Sequence, residues 1–91
     1  MIKSFKSKKT ERLFNGEWVA AYSGFKRQAE KRLRILDAAD TLECLRALPS
    51  NRFEALAGDR VGQYSIRIKR QWRVCFRWDS GACDVEIVDY H

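Results

Sequence analysis

The chain is poor in the residues that usually announce chemistry. Its 91 residues include one histidine, His91, one proline, Pro49, one methionine and five glycines. The three cysteines, Cys44, Cys75 and Cys83, form an odd set without Cys-x-x-Cys spacing, which argues against a secreted disulfide scaffold. Cys44 falls in a helical pattern and Cys75 in a strand pattern, so both are expected to be small buried hydrophobes. A catalytic thiol needs a partner base, and the single imidazole is the last residue. Three scattered cysteines and one histidine give no zinc spacing either, so any catalysis is expected to run without a protein-held metal or cofactor. No apolar run approaches the ~20 residues of a membrane span. The opening Met1-Ile2-Lys3-Ser4-Phe5-Lys6 lacks the apolar stretch of a secretory signal, so the expected address is the cytoplasm, with no membrane contact.

What is abundant is positive charge. There are 18 Lys and Arg against 12 Asp and Glu, a net charge of +6. With 45% hydrophobic and 33% charged residues the balance is that of one soluble globular domain over residues 1–91. A chain of this length buries roughly 64% of its unfolded surface, enough for one modest core. The charge is segregated. Residues 1–34 carry ten basic and three acidic residues (+7), residues 35–59 two and five (−3). Residues 60–77 carry six basic residues and no acid (+6): Arg60, Arg67, Lys69, Arg70, Arg73 and Arg77. The last fourteen carry four acids and no Lys or Arg (−4). Two basic blocks between acidic ones suit an anionic partner, most naturally nucleic acid. A solvated helix face explains Lys26 to Arg34 equally well. It explains the second block poorly, because those residues alternate with strand-forming apolar ones.

Residues 1–6 read as a short strand. Ser7 can cap a helix over about 8–15, with Asn15-Gly16 as its stop. Phe25, Ala29, Leu33, Leu36 and Ala39 recur at helical spacing and mark a second helix with one apolar stripe. Asp40 followed by Glu43 reads as a capping box that opens a short third helix ending at Leu48-Pro49. Beyond Pro49 the period changes to two. Tyr64, Ile66 and Ile68, then Trp72, Val74, Phe76 and Trp78, then Val85 and Ile87 alternate with polar or small residues. Three such segments joined by short turns predict an antiparallel meander with one face on a core. The fold class is therefore α+β: N-terminal helices packed on one face of a mostly antiparallel sheet.

Side-chain parity takes the reading further. Keeping Ile66, Ile68, Trp72 and Val74 on one face favours a three-residue loop, Lys69-Arg70-Gln71, with Ile68 opposite Trp72. Arg67 then lies opposite Arg73 on the other face. Like charges directly opposed across strands are destabilising, which an anion between them would relieve, and guanidinium forks suit phosphate. The plain alternative is a pair of splayed, solvated edge residues. The next hairpin has two registers, one with Tyr90 opposite Arg73 and one shifted by two residues; in both, Tyr90 shares the face of the arginines. The ending Asp89-Tyr90-His91 gathers proton-exchanging groups there. Cleaving RNA without metal needs a base for the ribose 2′-hydroxyl, an acid for the leaving oxygen and cations for the phosphorane charge.

These residues also carry a family likeness. Asn51-Arg52-Phe53-Glu54-Ala55-Leu56, Gly58-Asp59-Arg60, Gly62 to Ile68, Gln71-Trp72-Arg73-Val74-Cys75-Phe76 and the ending Val85 to His91 resemble the HigB toxins, a branch of the RelE/ParE superfamily of type II toxin–antitoxin systems. The opening Met1-Ile2-Lys3-Ser4-Phe5 matches too, and the likeness is weakest over residues 15–35. It implies a microbial RelE-like fold and a ribosome-dependent endoribonuclease that cuts mRNA in the ribosomal A site. It further implies a HigA-type helix-turn-helix antitoxin through which operator DNA is bound. Carried over, Arg67 and Arg73 would hold the scissile phosphate, Tyr90 and His91 would transfer protons or orient the ribose, and Asp89 would support them. Arg60 and Lys69 would be second-rank phosphate contacts, with Arg70 and Arg52 adding to the RNA-binding charge. Many members place a lysine just before Gly-Asp-Arg, where this chain has Ala57. A small residue is found there in members of the GraT kind; either a naturally weaker toxin or an engineered inactivation fits.

Two alternatives stand beside the nuclease: a gyrase-directed toxin of the ParE kind, and a non-catalytic basic module that binds RNA or a partner. Trp18 and Tyr22 can serve an antitoxin interface or plain packing. On the nuclease reading, Arg73→Ala or deletion of His91 relieves growth arrest with the fold intact.

Overall fold

Ser7 has extended backbone, and its Oγ accepts the Thr10 N–H at 3.3 Å, which opens helix α1 (Lys8–Phe14). The computed structural model describes residues 1–90. Asn15 closes this helix, and Gly16 follows at φ +88°, a left-handed conformation natural to glycine. A 3₁₀ turn (Ala20–Phe25) leads into α2 (Lys26–Ala38). Its stripe is buried as the spacing predicts: Phe25, Ala29, Leu33, Leu36 and Ala39 all face the core. Burying Leu33 or Leu36 contributes about 1.5–3 kcal/mol each.

The third helix, α3 (Leu42–Ala47), is capped by Thr41 rather than Asp40. Thr41 Oγ1 accepts the Cys44 N–H at 3.2 Å, because the hydroxyl one residue later meets the first-turn donors. In that phase Leu45 turns to the core and Cys44 is exposed, contrary to the expected burial; Cys75 is buried and Cys83 intermediate. Leu48 ends the helix, and Pro49 starts a 3₁₀ turn (Pro49–Asn51). Asn51 is fully buried there. Its Nδ2 donates to the Leu45 carbonyl at 3.0 Å and its Oδ1 accepts from Arg32 at 2.8 Å, which ties α2 to α3.

Four antiparallel strands follow in the order β1 (Glu54–Ala55), β2 (Tyr64–Lys69), β3 (Trp72–Trp78) and β4 (Ala82–Asp89). Arg67 lies opposite Arg73, as parity requires. The turn differs from the expected one: a bulge between Arg67 and Lys69 pairs Lys69 with Trp72, and the hairpin closes through Arg70-Gln71, with Arg70 left-handed at φ +53°. The extra residue keeps Ile68 in the core. Between β3 and β4 the register shifted by two is the one adopted, with Arg73 opposite Val88 and Cys75 opposite Glu86. A second bulge between Cys75 and Arg77, with Asp84 at φ +52°, carries the ladder on to Arg77 opposite Cys83.

Residues 1–6 lie along the free edge of β4 through two parallel bridges, Ile2 with Ala82 and Phe5 with Val85. Beyond them Thr10 continues the cover: fully buried, its Oγ1 accepts the Ile87 N–H at 3.0 Å. The core sits between the helices and the inner sheet face. Phe76, Ile66, Val74 and Val85 meet Leu13, Leu33, Leu36 and Leu45 there, and Trp72 packs on Phe25 at 4.8 Å between ring centres. The sequence-derived α+β arrangement is the one observed.

Candidate functional site

The helices cover one face of the sheet; the other carries the polar set. Strand alternation arranges it in rungs. Arg67, Arg73 and Val88 form one rung, and Ser65, Cys75 and Glu86 the next. Tyr90 follows two residues after Val88, and its backbone N–H donates to the Gln71 carbonyl at 2.8 Å. The close of the chain is thereby tied to the β2–β3 turn, one step from Arg73.

The two opposed arginines have different surroundings. Arg73 is 7% exposed. Its Nε donates to Ser65 Oγ at 2.6 Å, Nη2 donates to the Arg52 carbonyl, and Nη2 lies 3.6 Å from Glu54 Oε1. Its guanidinium therefore reaches over the small Ser65 towards β1 instead of meeting Arg67. Like-charge repulsion across the ladder is relieved here by the protein's own oxygen atoms, so the opposed pair does not by itself demand a bound anion. Arg67 is half-buried and, among the described residues, has no hydrogen bond or ion pair. With Lys69 and Arg70 of the adjoining turn, it is left to meet a ligand.

The remaining predicted contacts divide. Lys69 and Arg70 are exposed at the β2–β3 turn, next to Arg67. Arg52 is exposed in a left-handed conformation (φ +43°), its carbonyl held by Arg73. Arg60 stands apart: its Nη1 donates to Gln63 Oε1 at 3.0 Å and to Glu86 Oε2 at 3.3 Å, and Lys6 lies 3.6 Å from the same carboxylate. Asp89 sits opposite Trp72 at the end of β4. His91 lies outside the described residues. Among the described residues no group of three or more His, Cys, Asp or Glu could hold a metal ion, and no helix is long and apolar enough to cross a membrane.

Against this geometry the comparisons are specific. Residues 3–91 match the family model described as the RelE-like toxin of the type II toxin–antitoxin system HigB. The chain belongs to the HigB-like toxin family. It is also 43% identical over 61 residues to Toxin HigB-1 of Vibrio cholerae, a match covering 67% of this chain and 64% of that protein, just under two thirds of the relative's length.

Two features of this HigB-like chain bear on the site. Ala57 is exposed at the start of the 3₁₀ turn Gly58–Arg60, beyond Gln63 and so at the opposite end of β2 from Arg67. Cys75 lies beneath the polar face. Burial pushes its thiol up, an effect that Glu86 adds to and that Arg60 and Arg73 oppose, so it stays protonated at neutral pH. The holders of Arg73, namely Ser65, Glu54 and the Arg52 carbonyl, escape sequence reasoning. One signal was available: Ser65 and Cys75 are the small residues on the neighbouring rung, where a long guanidinium has room to lie flat. Of the strand aromatics, Phe76 is fully buried, and Tyr64, Trp72 and Trp78 pack against the core, as parity predicts. Tyr22 is buried against Trp72 and Phe25, which assigns it to packing, whereas Trp18 is 62% exposed.

Proposed function

We propose that the chain is the toxin of a type II toxin–antitoxin pair and acts as a ribosome-dependent, metal-independent mRNA endoribonuclease that arrests translation and growth. The observation that carries this reading is the corner where Arg67, whose side chain has no hydrogen bond or ion pair among the described residues, stands beside the buried Arg73 and the Tyr90 backbone joins the same turn. In the reaction a base takes the proton of the ribose 2′-hydroxyl, and the oxygen attacks the adjacent phosphorus. The 5′-oxygen then leaves with a proton from an acid, giving a 2′,3′-cyclic phosphate and a free 5′-hydroxyl. Arg67 neutralises the charge that develops on the phosphorane, with Arg73 behind it. Tyr90 and His91 carry proton transfer or orient the ribose, supported by Asp89. Lys69, Arg70 and Arg52 supply contacts to the RNA backbone, and Arg60, engaged by Glu86, ranks behind them. No cofactor is needed.

The partners in this reading are the ribosome with its mRNA and a HigA-type helix-turn-helix antitoxin, which brings operator DNA indirectly; the setting is the cytoplasm. A gyrase-directed toxin has no use for the arginine–tyrosine group, and a stacking RNA binder would turn its strand aromatics outward. Mapping transcript 5′ ends after brief induction tests the reading directly: new ends within translated codons are expected. In vitro, Arg67→Ala should lower single-turnover cleavage on programmed ribosomes by on the order of 100- to 1,000-fold, the usual loss for one transition-state donor. Transcripts that stay intact during arrest, or an Arg67→Ala protein as toxic as the parent at equal abundance, would refute it.

A further inference from the structure

The polar face of the sheet continues past the Arg67 corner. Gln63 precedes β2 in the phase of Ser65 and Arg67, and Arg77 follows Cys75 in the phase of Arg73. Four residues along β3 carry the face roughly 13 Å from Arg73 to Arg77. There it ends in a shallow depression of about 220 Å³ lined by Lys6, Gln63, Arg77 and Asp84.

Its lining combines two cations, a carboxamide and a carboxylate. Lys6 and Arg77 bring two cations to one hollow. Their ion pairs are long: Arg77 and Asp84, both exposed, lie 3.8 Å apart, and the exposed Lys6 lies 3.6 Å from Glu86, whose side chain is only 15% exposed; the Arg77 pair is readily exchanged for a phosphate. Glu86 is in any case shared with Arg60. Gln63 spends its Oε1 on Arg60, leaving its amide NH₂ to donate, while the Asp84 carboxylate accepts. Gly62 lies against Arg77: at φ +90° glycine is favoured there, and a Cβ would stand 3.0 Å from Arg77 Nη1, so the guanidinium would have to shift slightly.

We propose that this depression is a nucleotide subsite for the RNA strand that is cut at the Arg67 corner. Lys6 and Arg77 hold a backbone phosphate, and Gln63 with Asp84 meets the donor and acceptor of a base edge. The inference rests on the nuclease reading and extends it to substrate choice. The hollow's polar lining and its continuity with the Arg67 corner favour RNA over an acidic protein segment, which would seek apolar anchors.

The test compares the full-length K6Q/R77Q protein with the parent and with Arg67→Ala on programmed ribosomes, together with photo-crosslinking of the unaltered protein to mRNA carrying 4-thiouridine near the cut. The double variant is expected to raise KM about tenfold, with kcat falling far less. It should flatten the salt dependence of KM by about 0.7 log units per log unit of salt, the value for one phosphate of a single strand. Crosslinks should fall on the peptide around Gln63 or Arg77. If Arg67→Ala abolishes cleavage while K6Q/R77Q keeps the parental KM and crosslinks map elsewhere, the subsite is overturned and the nuclease reading stands. If Arg67→Ala changes nothing, both fall. Loss of antitoxin affinity with KM unchanged assigns the hollow to a protein partner and overturns the proposal. Crosslinking uses the parent protein, so it decides even if the variant folds poorly.

Discussion

Replacing Arg73 by alanine should cost stability before it costs chemistry. The guanidinium is 7% exposed and serves Ser65 Oγ, which is fully buried, and the Arg52 carbonyl. Removing it strands the buried Ser65 hydroxyl, worth ~1–3 kcal/mol, and deletes a charge-assisted bond to a carbonyl, worth ~1.5–3 kcal/mol. Glu54 adds little: its side chain is 56% exposed, and exposed pairs contribute ~0–1 kcal/mol. Recovery of arginine's desolvation cost offsets part of the loss, which leaves ~3 kcal/mol, a large share of the ~5–15 kcal/mol a small domain has. In urea, with a slope of ~1–1.5 kcal/mol/M, the midpoint should fall by roughly 2–3 M. Arg67 is half-buried and its side chain is unbonded among the described residues, so Arg67→Ala should stay within ~0.5 kcal/mol of the parent. An Arg73→Ala midpoint matching that of Arg67→Ala would refute the reasoning. On this reasoning Arg73→Ala lowers stability even where the fold persists, so relief of growth arrest by it reports on folding as well as on phosphate.

Ala57→Lys adds a cation beside Arg60 and Gln63 and is expected to increase mRNA cleavage, mainly through KM; cleavage kinetics identical to the parent would argue against any role for that position. Thr10→Val removes the acceptor of the Ile87 N–H and should cost ~1–3 kcal/mol by denaturant melt, with faster hydrogen exchange at Ile87. Thiol labelling should strike Cys44 first, because it is exposed and the Thr41 hydroxyl bond lowers its pKa, whereas Cys75 should react only on unfolding. Since the folded pKa of Cys75 is raised, its contribution is fully present below the unfolded value near 8.5 and is lost as pH rises through the higher folded value. A denaturant series from pH 7 to 10 should show that decline, and it should vanish in Cys75→Ala.

By itself the sequence determined whatever depends on local period and parity. The apolar stripe from Phe25 to Ala39 could face a core only as a helix. The alternation through three segments after Pro49 could bury its aromatics only as a sheet, and strict two-residue alternation then set Arg67 against Arg73. Ser7 capped its helix because a hydroxyl in that position satisfies a nearby donor. Tertiary structure decided what depends on partners distant in the chain. Two β4 registers satisfied parity equally, and packing with a bulge at Asp84 selected one. Asp40 suited a cap by sequence, yet Thr41 holds that place, in the phase that turns Leu45 to the core. For the direction of the Arg73 side chain the sequence offered only the small Ser65 and Cys75 on the neighbouring rung. A long guanidinium can reach several neighbours, and it turns where Ser65 and the Arg52 carbonyl, brought close only by the folded sheet, repay its desolvation. That choice leaves Arg67, half-buried, without a side-chain partner among the described residues.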